Sequence, residues 1–201
     1  MLFLDPGADH DADAAFASAL ADTGNVVLGA SVVITDDPLF HQAQIQEPYE
    51  PFAKAAARVA DVNLPTDADG VIRYAFPARE GRPGLALAAY ELATGDTSQR
   101  TAEARYFDYY GPARTIKTVS IYQALDPKKY LPPGFFKDKI VFVGLSQDAA
   151  PGVAPKDAFL TAFRGEGLTT FGVEIHAALA ADLIEQRQVH PLDRRLAFAL
   201  L

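Results

Sequence analysis

The 201-residue chain has no cysteine, no tryptophan and a single methionine. Without cysteine, disulfide staples, thiolate nucleophiles and cysteine-ligated metals are excluded together. No apolar run approaches the ~20 residues that cross a bilayer as a helix. No leader-like hydrophobic segment follows Met1, because Leu2-Phe3-Leu4 runs straight into Asp5-Pro6-Gly7. Positive charge is scarce as well: 18 Lys and Arg stand against 26 Asp and Glu, a net charge of −8. That balance argues against nucleic acid or an anionic membrane surface as a partner. No GxGxxG, Walker loop, zinc spacing or paired-carboxylate constellation is present, so no cofactor or metal is expected. What remains is ordinary globular material, 49% hydrophobic and 22% charged, long enough for one domain with a sizeable core.

The chain is organised around residues 139–187. Lys139-Ile140-Val141-Phe142-Val143-Gly144 is a continuous apolar run closed by glycine, which predicts a central strand buried on both faces. After a Pro- and Gly-broken loop, Phe171 to Ile184 repeats apolar residues at helical spacing, with Thr169 and Thr170 placed to cap it. Upstream, Met1–Leu4 and Asn25–Ile34 read as strands flanking a helix over about 9–22, whose start is crowded by Asp9, Asp11 and Asp13. This is a βαβ unit. Residues 36–51 read as a long polar loop, Phe52–Val59 as a short helix and Leu85–Ala93 as another. Residues 105–110 read as an aromatic strand, and 118–125 as a short helix. The turn Pro65-Thr66-Asp67-Ala68-Asp69-Gly70 before alternating Val71–Phe76 predicts a β-hairpin near 60–77. The sum is an α/β fold: a single layered domain with a mostly parallel central sheet flanked by helices, plus that hairpin.

Ligands of open α/β sheets bind at carboxyl strand edges. This singles out Asp5 and the loop Gly144-Leu145-Ser146-Gln147-Asp148. Ser146 departs from a nucleophile elbow, since Asp148 replaces the second glycine and no helix follows directly. Gly172 permits close approach at the start of the last helix. Glu174 is favoured there by the helix dipole. His176 lies on the apolar side and reads first as a packing residue, about 200° around the helix from Glu174. Arg114, after the Tyr110-Gly111-Pro112 turn, is a candidate anion contact.

The segments DKIVFVGLSQDAAPG and TTFGVEIHAALAADLIEQRQVHPL, together with Asp67–Arg73, Tyr110-Gly111-Pro112 and Thr118-Val119-Ser120, resemble a CHASE type 2 domain. That family is the extracytoplasmic sensor of bacterial cyclases, histidine kinases and Ser/Thr kinases. The resemblance implies a sensory domain over residues 1–192, and not an enzyme in itself. It implies an unidentified small-molecule or environmental signal, and an inner-membrane location facing the periplasm or cell exterior. Family members often signal as dimers, which implies a homodimer. They usually carry a strand-helix segment, often with a Trp-Pro-Trp-like motif, ahead of the strand matching Leu2–Asp5; that segment is expected to be missing here. Residues 193–201, ending Leu196-Ala197-Phe198-Ala199-Leu200-Leu201, are expected to begin a transmembrane helix. Arg194-Arg195 beside it weakly favour a cytoplasmic side, against the family's orientation. The competing readings are a freestanding α/β hydrolase using Ser146 or Asp5, and a protein-interaction module.

Overall fold

The computed structural model describes residues 5–37, 40–79, 81–101, 103–146, 157–163, 169–187 and 189. The expected first strand, Asp148 and the expected membrane segment at 193–201 lie outside the described residues. Helix α1 (His10–Thr23) begins at Asp9, whose carboxylate accepts the Asp11 and Ala12 N–H groups, and stops where Gly24 turns left-handed. Strand β1 (Val27–Asp37) follows as expected. The 36–51 segment is not a loop throughout. It forms β2 (Phe40–Gln46), which pairs antiparallel with β1 from Ser31–Gln46 to Asp37–Phe40. A backbone ladder holds this strand at a sheet edge, with Ile45 exposed. A largely polar run therefore suffices, and no apolar alternation announced it.

Helix α2 (Glu50–Ala55) and β3 (Arg58–Asp61) come next, and β3 pairs parallel with β1. The first sheet is thus β2-β1-β3, of mixed sense. Beside it, Leu20, Leu28 and Phe52 form a small apolar cluster, with Phe16 and Tyr49 edge-on to Phe52 at ring distances of 5.0 and 5.1 Å.

The Asp67–Gly70 turn exists, and Asp67 and Gly70 close it by backbone hydrogen bonds. It does not join a hairpin over 60–77. The strand before it, β3, pairs with β1, whereas β4 (Val71–Ile72) pairs with a strand far along the chain. β5 (Tyr74–Ala75), β6 (Ala78–Arg79) and β7 (Arg82–Pro83) follow, with β6 and β7 forming a two-residue hairpin ladder. Helix α3 (Leu85–Thr94) ends at left-handed Gly95. Of the aromatic run only β8 (Arg105–Tyr106) is strand, paired with β5. Helices α4 (Ile121–Leu125) and α5 (Pro127–Tyr130) are short and bury no residue.

The expected central strand at 139–144 is a correction. It has no ladder partners among the described residues. Phe142 packs on the core, while Val141 and Val143 are 51% and 65% exposed. One face is covered and the other is not, so the run is not a strand sandwiched between layers. Strand β9 (Ala158–Thr161) pairs parallel with β4 and antiparallel with β10 (Thr170–Phe171). Helix α6 (Gly172–Glu185) closes the described chain. Its N-cap is Phe171 without a side-chain cap, so neither threonine caps it. The fold is α/β, but its sheets are small and mixed rather than one mostly parallel sheet. The main core joins α3 and α6 over Ile72, Phe107 and Tyr109. Ile175, Leu179 and Leu183 are the α6 stripe; each such buried side chain contributes roughly 1.5–3 kcal/mol of transfer free energy.

Candidate functional site

The first turn of α6 gathers several of the residues the sequence singled out. Gly172 donates its N–H to the Asp157 carbonyl at 2.9 Å. A Cβ at Gly172 would lie 2.7 Å from Asp157 Oδ1, and one at Gly144 would lie 2.7 Å from Val173 Cβ. Close approach to the Val173 branch point therefore favours glycine at 144, while at 172 the end of the Asp157 side chain would have to move aside. The Glu174 carboxylate accepts the backbone N–H of Arg114 at 3.0 Å and of Ile116 at 3.2 Å. Arg114 reaches that position with φ of 72°. The carboxylate thus pins the 114–116 turn to the helix start. Ser146 and Asp5 are exposed. No hydrogen bond joins Ser146 to His176 among the described residues, and Asp5 lies ahead of α1 and lines no part of the cavity described below.

His176 points the other way, into the protein. It is buried, and its Nε2 lies 3.2 Å from the Val62 carbonyl. A carbonyl only accepts, so Nε2 carries the proton in the neutral ring. Burial lowers its pKa to about 4, partly opposed by that carbonyl.

One turn deeper lies a cavity of about 40 Å³ between the end of β3, the start of α3, β5, β8 and the buried face of α6. In this measure a water needs roughly 10–15 Å³, so the space holds about three. His176, Asp182, Arg105 and Asp61 are among the polar residues that line it, and leucines from α3 and α6 supply much of the apolar wall. Asp182 is 1% exposed and Arg105 15%, and their nearest charged atoms are 3.5 Å apart. Gln99 holds the guanidinium from outside, accepting from Nη1 at 2.7 Å. Among the described residues, Arg105 Nε and Nη2 are buried with no hydrogen-bond partner. Asp182 receives one long bond, from the Asp108 N–H at 3.4 Å. Burial pushes its carboxyl up from the usual carboxylate range, against the pull of that N–H and of Arg105. The α6 position of Asp182 was the readable clue to this site: an acid on the stripe of Ile175 and Leu179. Arg105 and Asp61 gave no such sign.

A family model of the CHASE2 domain matches residues 1–200. The chain belongs to the CHASE2 family. This bears out the resemblance drawn from the GVEIHA helix and the strand-loop segment before it. CHASE2 domains are extracellular sensory domains, which supports a sensor role. No curated protein and no solved structure matches the chain. Among the described residues no group of three His, Asp or Glu side chains is placed to hold a metal ion, and no helix is long and apolar enough to cross a membrane. Of the CHASE2 features, the GVEIHA segment is the helix start that touches both places: Glu174 outward to the 114–116 turn, His176 inward to the cavity.

Proposed function

We propose that this CHASE2 domain is the extracytoplasmic signal-input part of a membrane-bound bacterial protein, and that it reports its state through α6 to a cytoplasmic cyclase or kinase. One observation carries the reading. A single helix bears a small cavity on one face, an anchored turn at its start and a clasp at its end. His176, Leu179, Asp182 and Leu183 line the cavity, and Glu174 holds the Arg114–Ile116 backbone. Past the left-handed Gln186, Arg187 folds back: its N–H donates to the Asp182 carbonyl, and its guanidinium lies 4.2 Å from the Tyr110 ring centre and pairs with Asp108 and Glu185. A stiff element gripped at both ends carries displacement better than a loop does, and a ligand shifts its position only through unequal contacts with two states.

The signal is a small molecule or a change of environment, and signalling as a homodimer fits the family's habit. The test is the output of the full-length protein in its own membrane. Glu174→Gln, which weakens the acceptor of two N–H groups, and Ser146→Ala, in the loop after the 139–144 segment, are each expected to change basal or signal-dependent cyclase or kinase activity. An output indifferent to both substitutions would sink the α6 route.

A further inference from the structure

We propose that residues 117–139 form a face that docks the domain onto an anionic lipid surface. Its lysines meet the headgroups, and its exposed aliphatic and tyrosine side chains enter the interface beside them. This goes beyond the α6 route and does not depend on it.

The charge of the chain is segregated. Five of its seven lysines, Lys117, Lys128, Lys129, Lys137 and Lys139, fall within 117–139, against two aspartates and no glutamate. All five are exposed. The net charge of −8 argues against an anionic partner for the surface as a whole. It does not argue against one for this segment, because charges further off than about 8 Å are largely screened at physiological salt.

The same segment exposes apolar surface that the fold does not use. Helices α4 and α5 bury no residue. Ile121 and Leu125 are 62% and 78% exposed and, four residues apart, share one side of α4. Tyr122 and Tyr130 are exposed as well, and their rings meet edge-on at 5.3 Å across the two helices. The Lys129 ammonium lies 4.9 Å from the Tyr130 ring centre. The segment also closes on itself: Lys117 and Lys139, its two ends, both reach the Phe135 ring, at 4.8 and 5.9 Å. Cation, aromatic and aliphatic groups are thus gathered in one small unit rather than strung along a loop.

The composition selects the occupant. Protein interfaces favour arginine beside aromatic residues and are poor in lysine, and this segment has no arginine. Arginine's planar fork suits a single phosphate or carboxylate, whereas lysines are point charges on flexible stems and suit a surface of diffuse negative charge. Single-stranded nucleic acid stacks its bases on open ring faces, but here the Tyr130 and Phe135 rings already carry lysines. Long-stemmed cations that keep their charge in water while aliphatic and tyrosine side chains sink beside them are the pattern of an interfacial anchor. A domain tethered beside a bilayer needs only weak intrinsic affinity to stay on it.

The test is co-sedimentation of the purified 201-residue chain with vesicles of equal parts phosphatidylglycerol and phosphatidylcholine. The chain has no tryptophan, so Tyr122→Trp adds a single fluorescent reporter. Half-binding is expected at about 0.1–1 mM lipid in about 50 mM salt, with a blue shift of the reporter. Binding should be at least about tenfold weaker in about 500 mM salt and on phosphatidylcholine alone. Lys128→Glu with Lys129→Glu, and separately Ile121→Ser with Leu125→Ser, should each weaken binding at least about tenfold. Lys54→Gln, on an exposed lysine outside the segment, should leave it unchanged. The salt and lipid dependence is read on the unmodified chain, so it decides the matter even if a variant fails to fold. No binding to the phosphatidylglycerol vesicles at low salt overturns the proposal. So does equal binding to phosphatidylcholine, or binding that both double variants leave intact. A dimer dissolved by Ile121→Ser with Leu125→Ser, in a chain that ignores vesicles, overturns it in favour of a second copy on this face. Tighter binding to single-stranded DNA than to the vesicles overturns it in favour of nucleic acid.

Discussion

Glu91 and Asp182 sit on α3 and α6, the two helices that pack together to make the core, and the fold treats them in opposite ways. Both are almost wholly buried. Glu91 is clamped from two sides: Arg100 donates through Nε at 2.5 Å and Nη2 at 2.7 Å, and Arg58 of β3 completes the set. These bonds, Arg100 first, hold its pKa below the ordinary value against burial. Asp182 has one long bond and one distant arginine, and burial pushes its pKa up. The first carboxylate ties β3, α3 and the 96–101 segment together. The second is left with unused capacity beside a cavity. Burial alone therefore does not mark a site; incomplete service of a buried charge does.

The largest effect that would break this contrast is on stability. Glu91→Gln should cost about 3 kcal/mol, the low end for breaking a buried charge cluster, because Arg58 and Arg100 keep 31% and 53% exposure and stay partly hydrated. Chemical denaturation reads this directly, and a loss under about 1 kcal/mol would remove Glu91 from the structural side of the comparison.

Acid sharpens the contrast next. His176 has a depressed folded pKa of about 4 against 6.5 unfolded. Its contribution is therefore complete above pH 6.5 and is lost as pH falls toward 4. Between pH 7 and pH 5 the loss is about 2 kcal/mol at 1.36 kcal/mol per unit. Glu91, with its pKa lowered from 4.5, loses its contribution only below that value, while the raised pKa of Asp182 acts in the opposite sense. The midpoint drop from pH 7 to pH 5 should be smaller in His176→Gln than in the unmodified chain; equal drops would mean that the ring is charged inside the fold.

The helix start gives a graded pair. Gly144→Ala drives a methyl into the branch point of Val173 and should cost about 1–3 kcal/mol. Gly172→Ala meets the end of the Asp157 side chain, which has more freedom to turn away, and should cost less. Thermal midpoints that reverse this order would place the tighter contact at Asp157.

Asp182→Asn should shift stability by less than about 1 kcal/mol, since it removes a poorly paired charge and keeps an acceptor. A loss as large as that of Glu91→Gln would erase the difference between the two carboxylates. The smallest effect belongs to Arg73, which reaches Asp67 at 2.6 Å and Asp69 at 2.9 Å at the surface. Arg73→Ala should move the midpoint barely at all, and less still in high salt.

Helices α1, α3 and α6 were legible because apolar spacing, alanine-rich stretches and terminal glycines or acids agree with one another. Strand β1 was legible from its apolar run. Strand β2 was not, because edge pairing through the backbone asks little of side chains. The 139–144 run misled for the converse reason: apolar residues signal burial on both sides, but here one face stays open at Val141 and Val143. The hairpin near 60–77 failed because a correct turn says nothing about which strands its arms join. The site divides the same way. Gly144, Gly172, Glu174 and Arg114 belong to neighbouring turns around one helix start, and glycine and charge placement exposed them. Arg105, Asp61 and Asp182 come from separate segments and meet only in three dimensions.

The pairing of β4 with β9 bears on how the chain reaches this fold. Val71 is bonded to a partner, Leu160, roughly ninety residues away, whereas β1, β2 and β3 lie within a short local stretch. Closing so long a loop is slow, and its entropy must be lost before the contact stabilises anything. During synthesis the first sheet has all its strands long before β4 has a neighbour. Until Thr161 has been made, Val71 and Ile72, both completely buried in the finished domain, stand without their strand partner. The nascent chain's exposure to aggregation is set there, at two residues, by the distance to their partner.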